Sequence, residues 1–393
     1  MAEALPIFEL GLVLLLAALA GTAARRLGLP AVVGYLAVGL LVGPFTPGYV
    51  ADPERIRVLA NVGVVLLLFE VGIEIDVRAV RRDPRGLLIA APLQVLVVWL
   101  LSAVAATLLG LAAPGAATIG LAVALSSSVV IVNMTRSRRR TVDAPTARAM
   151  VVWAVLQDVV SLFAVAGLSV LLFSEDAAEL GIAVGKLIIF VAVALAIGMT
   201  FVPAVLRRVR DEHDTLLIVA VSIALATAGL GAVLFDVPLA LAAFVAGLAI
   251  SSRPEAREAR REVHPFRDLF AVMFFVAVGT LVDPNALAST SIWIAVLGLV
   301  VLKGLVVWAL SAIFRVRADH RQLGIALAQI GEFSFVVLAL GLAAGAITAE
   351  QFSATLAASV ITIAVSTIAV RSFPRLEHHE PEPAEAHAGH TGT

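Results

Sequence analysis

Ala154-Val155-Leu156-Gln157-Asp158-Val159-Val160-Ser161-Leu162 places a carboxylate and an amide inside an apolar run, residues 146–173, long enough to cross a bilayer. An acid at mid-membrane costs about 2.5–3.5 kcal/mol on insertion scales, and more on an isolated helix. Counting about 1.5 Å per residue inward from Arg148, Asp158 lies roughly 15 Å deep, near the bilayer centre. Loss of water disfavours the charged carboxylate and a bound cation favours it, so a proton and a cation compete for one position. Each ligand then displaces the other, and the empty charged site is costly to carry across. Gln157 offers a neutral carbonyl but points about 100° away around the helix.

The composition agrees with a membrane setting. Hydrophobic residues make up 61% of the 393 residues, and mean hydropathy is +1.02; a soluble domain holds roughly 45–50% apolar residues. The chain reads as an all-α polytopic membrane protein. It has no cysteine, which excludes a disulfide framework and thiolate metal or redox chemistry. Leu5 to Ala24 lacks a basic leading segment and is long enough to be a first span, so no removable signal is expected.

Apolar runs between charged or Pro/Gly breaks give thirteen candidate spans: 5–24, 30–49, 57–76, 86–111, 114–134, 146–173, 178–206, 213–230, 233–252, 265–283, 289–314, 321–345 and 350–372. With the N-terminus outside, the inside loops hold 24 of the 28 basic residues, among them Arg78, Arg81, Arg82, Arg85 and the Arg136–Arg140 cluster. The outside loops hold only Arg55 and Arg57, and Lys186 and Lys303 fall within spans. The alternation supports thirteen spans and a cytoplasmic C-terminus. The Arg136–Arg140 cluster is accounted for by this bias, and no nucleic-acid partner is expected.

The chain also repeats itself. Pro30 to Gly39-Leu40 has the spacing of Pro238 to Gly247-Leu248, and Gly72-Ile73-Glu74-Ile75-Asp76 matches Gly279-Thr280-Leu281-Val282-Asp283 at Gly and Asp. The offsets, about 208 and 207 residues, share one register. Two inverted repeats, about 5–173 and 213–372, follow, joined by a connector helix at 178–206. Inverted repeats with broken helices at their interface are a recurrent design of secondary transporters. The same register pairs Ser126-Ser127-Ser128 in the fifth span with Gln329-Ile330-Gly331-Glu332 in the twelfth. Both interrupt an apolar run near mid-membrane, where freed backbone groups need partners. They are the expected pair of crossed half-helices, whose dipole ends can flank an ion.

Further polar residues surround this plan. Ser127 and Ser128 offer hydroxyl or carbonyl ligands, or simply pack helices. Lys303, also near mid-membrane, is either a counter-charge to a buried acid or a titrating partner. Glu332 and Gln329 sit at the second break; Glu332 either caps half-helix backbone or lies on the ion path. Glu74 lies near the cytoplasmic end of the third span, where interfacial water or Arg can reach it. No HExxH, Walker A, GxSxG or paired-Cys pattern occurs, so neither an enzyme nor a cofactor is expected. Residues 376–393 lack apolar periodicity and read as a disordered cytoplasmic tail; its histidines are better explained as solvated than as metal ligands.

Several stretches resemble the monovalent cation:proton antiporter-2 family, especially its Kef-type potassium/proton branch. They are Gly34-Tyr35-Leu36-Ala37-Val38-Gly39, Leu67 to Asp76, Leu125 to Ser128, Leu156-Gln157-Asp158, Ala243 to Gly247, Phe274 to Gly279 and Ala328 to Phe333. The resemblance reaches from the N-terminus to about Arg371. It implies a mobile core and a dimerisation region working by alternating access, and a homodimer. It carries the ion-binding carboxylate onto Asp158, the neighbouring polar position onto Gln157 and the core lysine onto Lys303. Relatives with two adjacent acids at this pair are often electrogenic sodium exchangers; Gln157 removes one titratable group, which favours one-for-one exchange with potassium. The segment Ser252 to Arg267 lacks the acidic regulatory motif of longer Kef-type members, and no nucleotide-binding Rossmann domain follows, so glutathione gating is not expected; a separate cytoplasmic regulatory subunit is compatible with the family.

The expectation is therefore a potassium (or sodium)/proton antiporter of the cytoplasmic membrane, with Asp158 alternately holding the proton and the metal cation. Inverted repeats and a mid-membrane acid weigh against a cation channel. Asp158 and Glu332 weigh against an anion-coupled symporter.

Overall fold

In the computed structural model, the residues described are 4–27, 29–44, 53–74, 85–136, 142–173, 177–251, 254–285 and 290–373. Every regular element among them is helical. The helices are α1 (Ala4–Arg26), α2 (Ala31–Val42), α3 (Pro53–Glu74), α4 (Arg85–Leu108), α5 (Ala113–Ala124), α6 (Ser128–Arg136), α7 (Ala144–Phe173) and α8 (Ala177–Arg208). They continue with α9 (His213–Phe235), α10 (Leu239–Ile250), α11 (Pro254–Thr280), α12 (Thr290–Ile313), α13 (His320–Leu327), α14 (Phe333–Ala343) and α15 (Ala349–Arg371). Eight are long and apolar enough to cross a membrane. Their outer faces carry large bare apolar side chains such as Ile188, Ile294 and Val365, the surface of a chain solvated by lipid.

Two groups of helices result. In the first, α2 and α3 pack on α11, α3 also on α10, α1 on α2, and α9 on α10. In the second, α4 packs on α5 and α7, α12 on α4, α13 and α15, and α14 on α5. The long α8 lies against α9 and α10 of the first group and also touches α7. The groups meet where α7 packs on α10 and where the Phe275 and Phe335 rings contact edge-on at 6.2 Å.

Four glycines in the shared repeat register decide how the first group packs. A Cβ at Gly39 would enter the Val276 carbonyl oxygen, three residues before Gly279; a Cβ at Gly279 would enter the Leu36 carbonyl, three before Gly39. Gly247 and Gly72 repeat the relation through the Phe69 and Phe244 carbonyls. Each glycine lets one backbone touch another, and the α2–α11 contact is copied, register for register, by α10–α3.

The two expected breaks are present. α5 stops at Ala124 and α6 starts at Ser128; α13 stops at Leu327 and α14 starts at Phe333. Several boundaries differ from the sequence reading; the third span, expected from 57, starts at Pro53, and the ninth, expected from 233, starts at Leu239. The tenth span, expected from 265, begins as a helix at Pro254, because an Arg/Glu-rich turn that apolarity cannot register is helical and paired: Arg210 meets Glu258 at 2.6 Å and Arg207 meets Glu255 at 3.6 Å. The eighth, expected to end at 230, runs to Phe235, where Asp236 (φ 56°) closes the helix left-handed and Pro238 starts α10. The second, expected to reach 49, has its helix end at Val42 with Gly43 as the C-cap; residues 45–49 lie outside the described residues. The expected tail 376–393 lies outside the described residues.

Candidate ion-binding site

α7 carries Gln157 and Asp158 halfway along its 30 residues. Both are buried, Asp158 at 5% exposure and Gln157 at 1%. The Asp158 carbonyl oxygen accepts the Ser161 hydroxyl at 2.8 Å. Beside this helix the two broken spans cross.

The crossing follows from elementary requirements. A helix that stops inside a membrane leaves unpaired carbonyls at its C-terminal end, with no water to satisfy them. Here each break is served by the other and by neighbouring side chains. Lys303 of α12 is fully buried, and its Nζ lies 2.8 Å from both the Leu125 and the Gln329 carbonyl oxygens. One ammonium thus meets the negative dipole ends of α5 and α13 together. The Gly331 amide donates to the Leu125 carbonyl at 2.9 Å, Gln329 Nε2 to the Ser127 carbonyl at 3.2 Å, and Ser126 Oγ to the Leu327 carbonyl at 2.7 Å. Thr362 Oγ1 accepts the Ile330 amide at 3.2 Å. Gly331 has to be glycine, since a Cβ would collide with the backbone of Ser126 and Ser127.

Ser127 works in both directions. Its Oγ accepts the Val130 amide at 3.3 Å, capping α6, and donates to Glu332 Oε2 at 3.0 Å. Ser128 opens α6 and is half-buried. The crossing therefore gathers Ser127, Lys303, Gln329 and Glu332 into one hydrogen-bonded unit. Gln157 joins it through the end of α5, its Nε2 lying 3.4 Å from the Ala124 carbonyl. Glu74 is elsewhere: it is the last residue of α3, and its side chain lies outside the described residues.

Two residues, Gln94 and Trp153, escaped the sequence reading, as did the partners of Glu70, which the sequence placed only near the cytoplasmic end of the third span. Gln94 of α4, fully buried, donates to the Ala124 carbonyl at 3.2 Å and accepts the Trp153 indole N–H at 3.2 Å and the Gln157 amide. The available signal was a lone amide in an apolar span. Trp153 itself lies one helical turn before Gln157, a spacing the sequence displays without naming a partner. Glu70 of α3, its side chain 1% exposed, is held by Arg260 Nε (3.1 Å), Arg267 Nε (3.0 Å) and His264 Nδ1 (2.9 Å), all on α11. No group of three or more His, Cys, Asp or Glu side chains that could hold a metal ion occurs among the described residues.

A helical membrane bundle with two broken helices crossing beside a buried acid is the architecture of a secondary transporter. The family model described as "Sodium/hydrogen exchanger, transmembrane" matches residues 12–373, and the chain belongs to that family. The Escherichia coli (strain K12) protein named "Putative cation/proton antiporter YbaL" is 32% identical over 90% of this chain and 66% of its own length. The glutathione-regulated potassium-efflux system protein KefC of Klebsiella pneumoniae is 31% identical over 92% of this chain and 59% of its own. The chain thus spans about two thirds or less of these relatives. Among solved structures, the sodium proton antiporter MjNhaP1 of Methanocaldococcus jannaschii superposes with a TM-score of 0.72 at 18% identity, covering 95% of this chain and 97% of that one. The fold is shared, and the protein is a multi-pass membrane protein.

Proposed function

We propose that the protein exchanges a monovalent cation for a proton by alternating access, with Asp158 holding each in turn. The observation that carries this reading is the burial of Asp158 in mid-helix beside a crossing whose unpaired backbone groups are served by Lys303, Gln329, Gly331 and Ser126. A carboxylate kept in mid-membrane is costly, and residues of that kind mark ion and proton pathways. Potassium is the preferred cation: KefC, a relative across nearly all of this chain, is named for potassium efflux, and Gln157 leaves one titratable group where two would carry an extra proton. Exchange is then one-for-one and electroneutral. Gln157, Ser127 and Ser128 supply neutral oxygens; Lys303, Gln329 and Glu332 hold the crossing.

The reading includes thirteen spans as two inverted repeats with α8 as connector, the N-terminus outside the cytoplasmic membrane, a homodimer, and room for a separate regulatory subunit. The test is reconstitution in liposomes with a pH-reporting dye and an imposed proton gradient. Potassium, sodium, lithium and rubidium are added in turn to wild type and Asp158→Asn. Dye recovery on adding potassium to wild type alone is expected; full recovery with the mutant would remove the proposal.

A further inference from the structure

We propose that Gln94 is a positioning residue for the ion site: together with Trp153 it sets which way round the Gln157 amide stands, and so presents the Gln157 carbonyl oxygen as a neutral ligand. This rests on the antiporter reading and adds to it a residue outside the expected site.

The argument is one of donors and acceptors. An amide group can stand two ways round, and its hydrogen-bond partners decide which. The Trp153 indole nitrogen can only donate, so the Gln94 atom facing it at 3.2 Å is the oxygen. The other end of that amide is then NH2, which matches its partner, the Ala124 carbonyl at 3.2 Å. The Gln157 amide faces two acceptors, Gln94 Oε1 and the Ala124 carbonyl. Its near end must therefore be nitrogen, which turns its oxygen away. Gln157 Oε1 is buried and has no hydrogen-bond partner among the described residues. A buried acceptor left unpaired is unfavourable, and a partly dehydrated cation is a partner that relieves it. The indole N–H, four residues before Gln157 on α7, thus fixes the amide by way of α4. Gln94 touches no transported ion and acts through Gln157.

The test uses proteoliposomes, measuring KM and maximal rate for potassium and sodium separately. Gln94→Met keeps the volume and removes both hydrogen-bonding ends; the expected result is a KM raised about tenfold with little change in maximal rate. Trp153→Phe, which removes the donor and leaves Gln94 in place, should shift KM the same way by a smaller factor. It carries the test if Gln94→Met does not survive purification. Gln94→Glu supplies the rescue. A protonated carboxyl accepts through its carbonyl oxygen and donates through its hydroxyl as the amide did, whereas an ionised one cannot donate to Ala124. The ratio of mutant to wild-type KM should therefore be near one at acidic pH and rise as pH rises. In a Gln157→Met background, Gln94→Met should have no further effect on KM. An unchanged KM in Gln94→Met, or an equal shift on the Gln157→Met background, would overturn the inference. Transport by Asp158→Asn would instead overturn the antiporter reading, so the two failures are separable.

Discussion

Lys303 and Gln329 meet across the crossing, the lysine ammonium 2.8 Å from the glutamine backbone oxygen and equally close to that of Leu125. Sequence reasoning offered Lys303 as a partner for an acid. The structure places it on main-chain carbonyls at the ends of two half-helices.

Lys303→Met should accordingly act on stability first. It leaves the Gln329 carbonyl without this donor and the Leu125 carbonyl with only the Gly331 amide, at about 1–3 kcal/mol for an unsatisfied buried group. The expected outcome is a clear fall in melting temperature in detergent, read by fluorescence-detected size exclusion. Wild-type melting would show that the ammonium is dispensable to the crossing.

The glycine contacts yield a paired expectation. Gly39→Ala and Gly247→Ala occupy equivalent places in two copies of one helix contact. Each forces backbones apart, at a cost of about 1–3 kcal/mol for an overpacked position. Their losses in melting temperature should agree closely. A large loss in one and none in the other would break the correspondence between the halves.

Glu70→Gln removes the carboxylate that Arg260, His264 and Arg267 share on α11. Breaking a buried pair is costly, but Arg260 and Arg267 reach solvent and are screened, so about 1–2 kcal/mol is expected rather than the larger loss of a fully buried network. Thermal unfolding in low and high salt checks this: the gap between wild type and variant should narrow as salt rises.

Exchange of one proton for one monovalent cation moves no net charge. Transport measured with the membrane voltage clamped by ionophores should change little between zero and strongly negative potential. A steep dependence would mean more than one proton per cycle and would remove the role given to Gln157.

Much of this was legible in the chain. Ser126-Ser127-Ser128 and Gln329-Ile330-Gly331-Glu332 stand out because polar residues inside apolar runs are expensive, and the helices do break there. The glycine register was visible as spacing, although the reciprocal contact of Gly39 with Gly279 and Gly247 with Gly72 required three dimensions. What stayed hidden depends on main-chain atoms or distant partners. The carbonyls that hold Lys303 have no sequence signature, and Gln94 and Gln157, 63 residues apart, are related only by the packing of α4 on α7. The early start of α11 was missed because charge, not apolarity, builds its first turns.

The edge-on contact of Phe275 and Phe335 has a mechanical meaning. On one side stand helices locked backbone to backbone through glycine; on the other, half-helices riveted together by Lys303, Gln329 and Ser126. Each side is stiff for its own reason. In the alternating-access cycle proposed above, the crossing would travel as one block with its rivets intact, and the two rings and the α7–α10 contact between the groups would take up the movement.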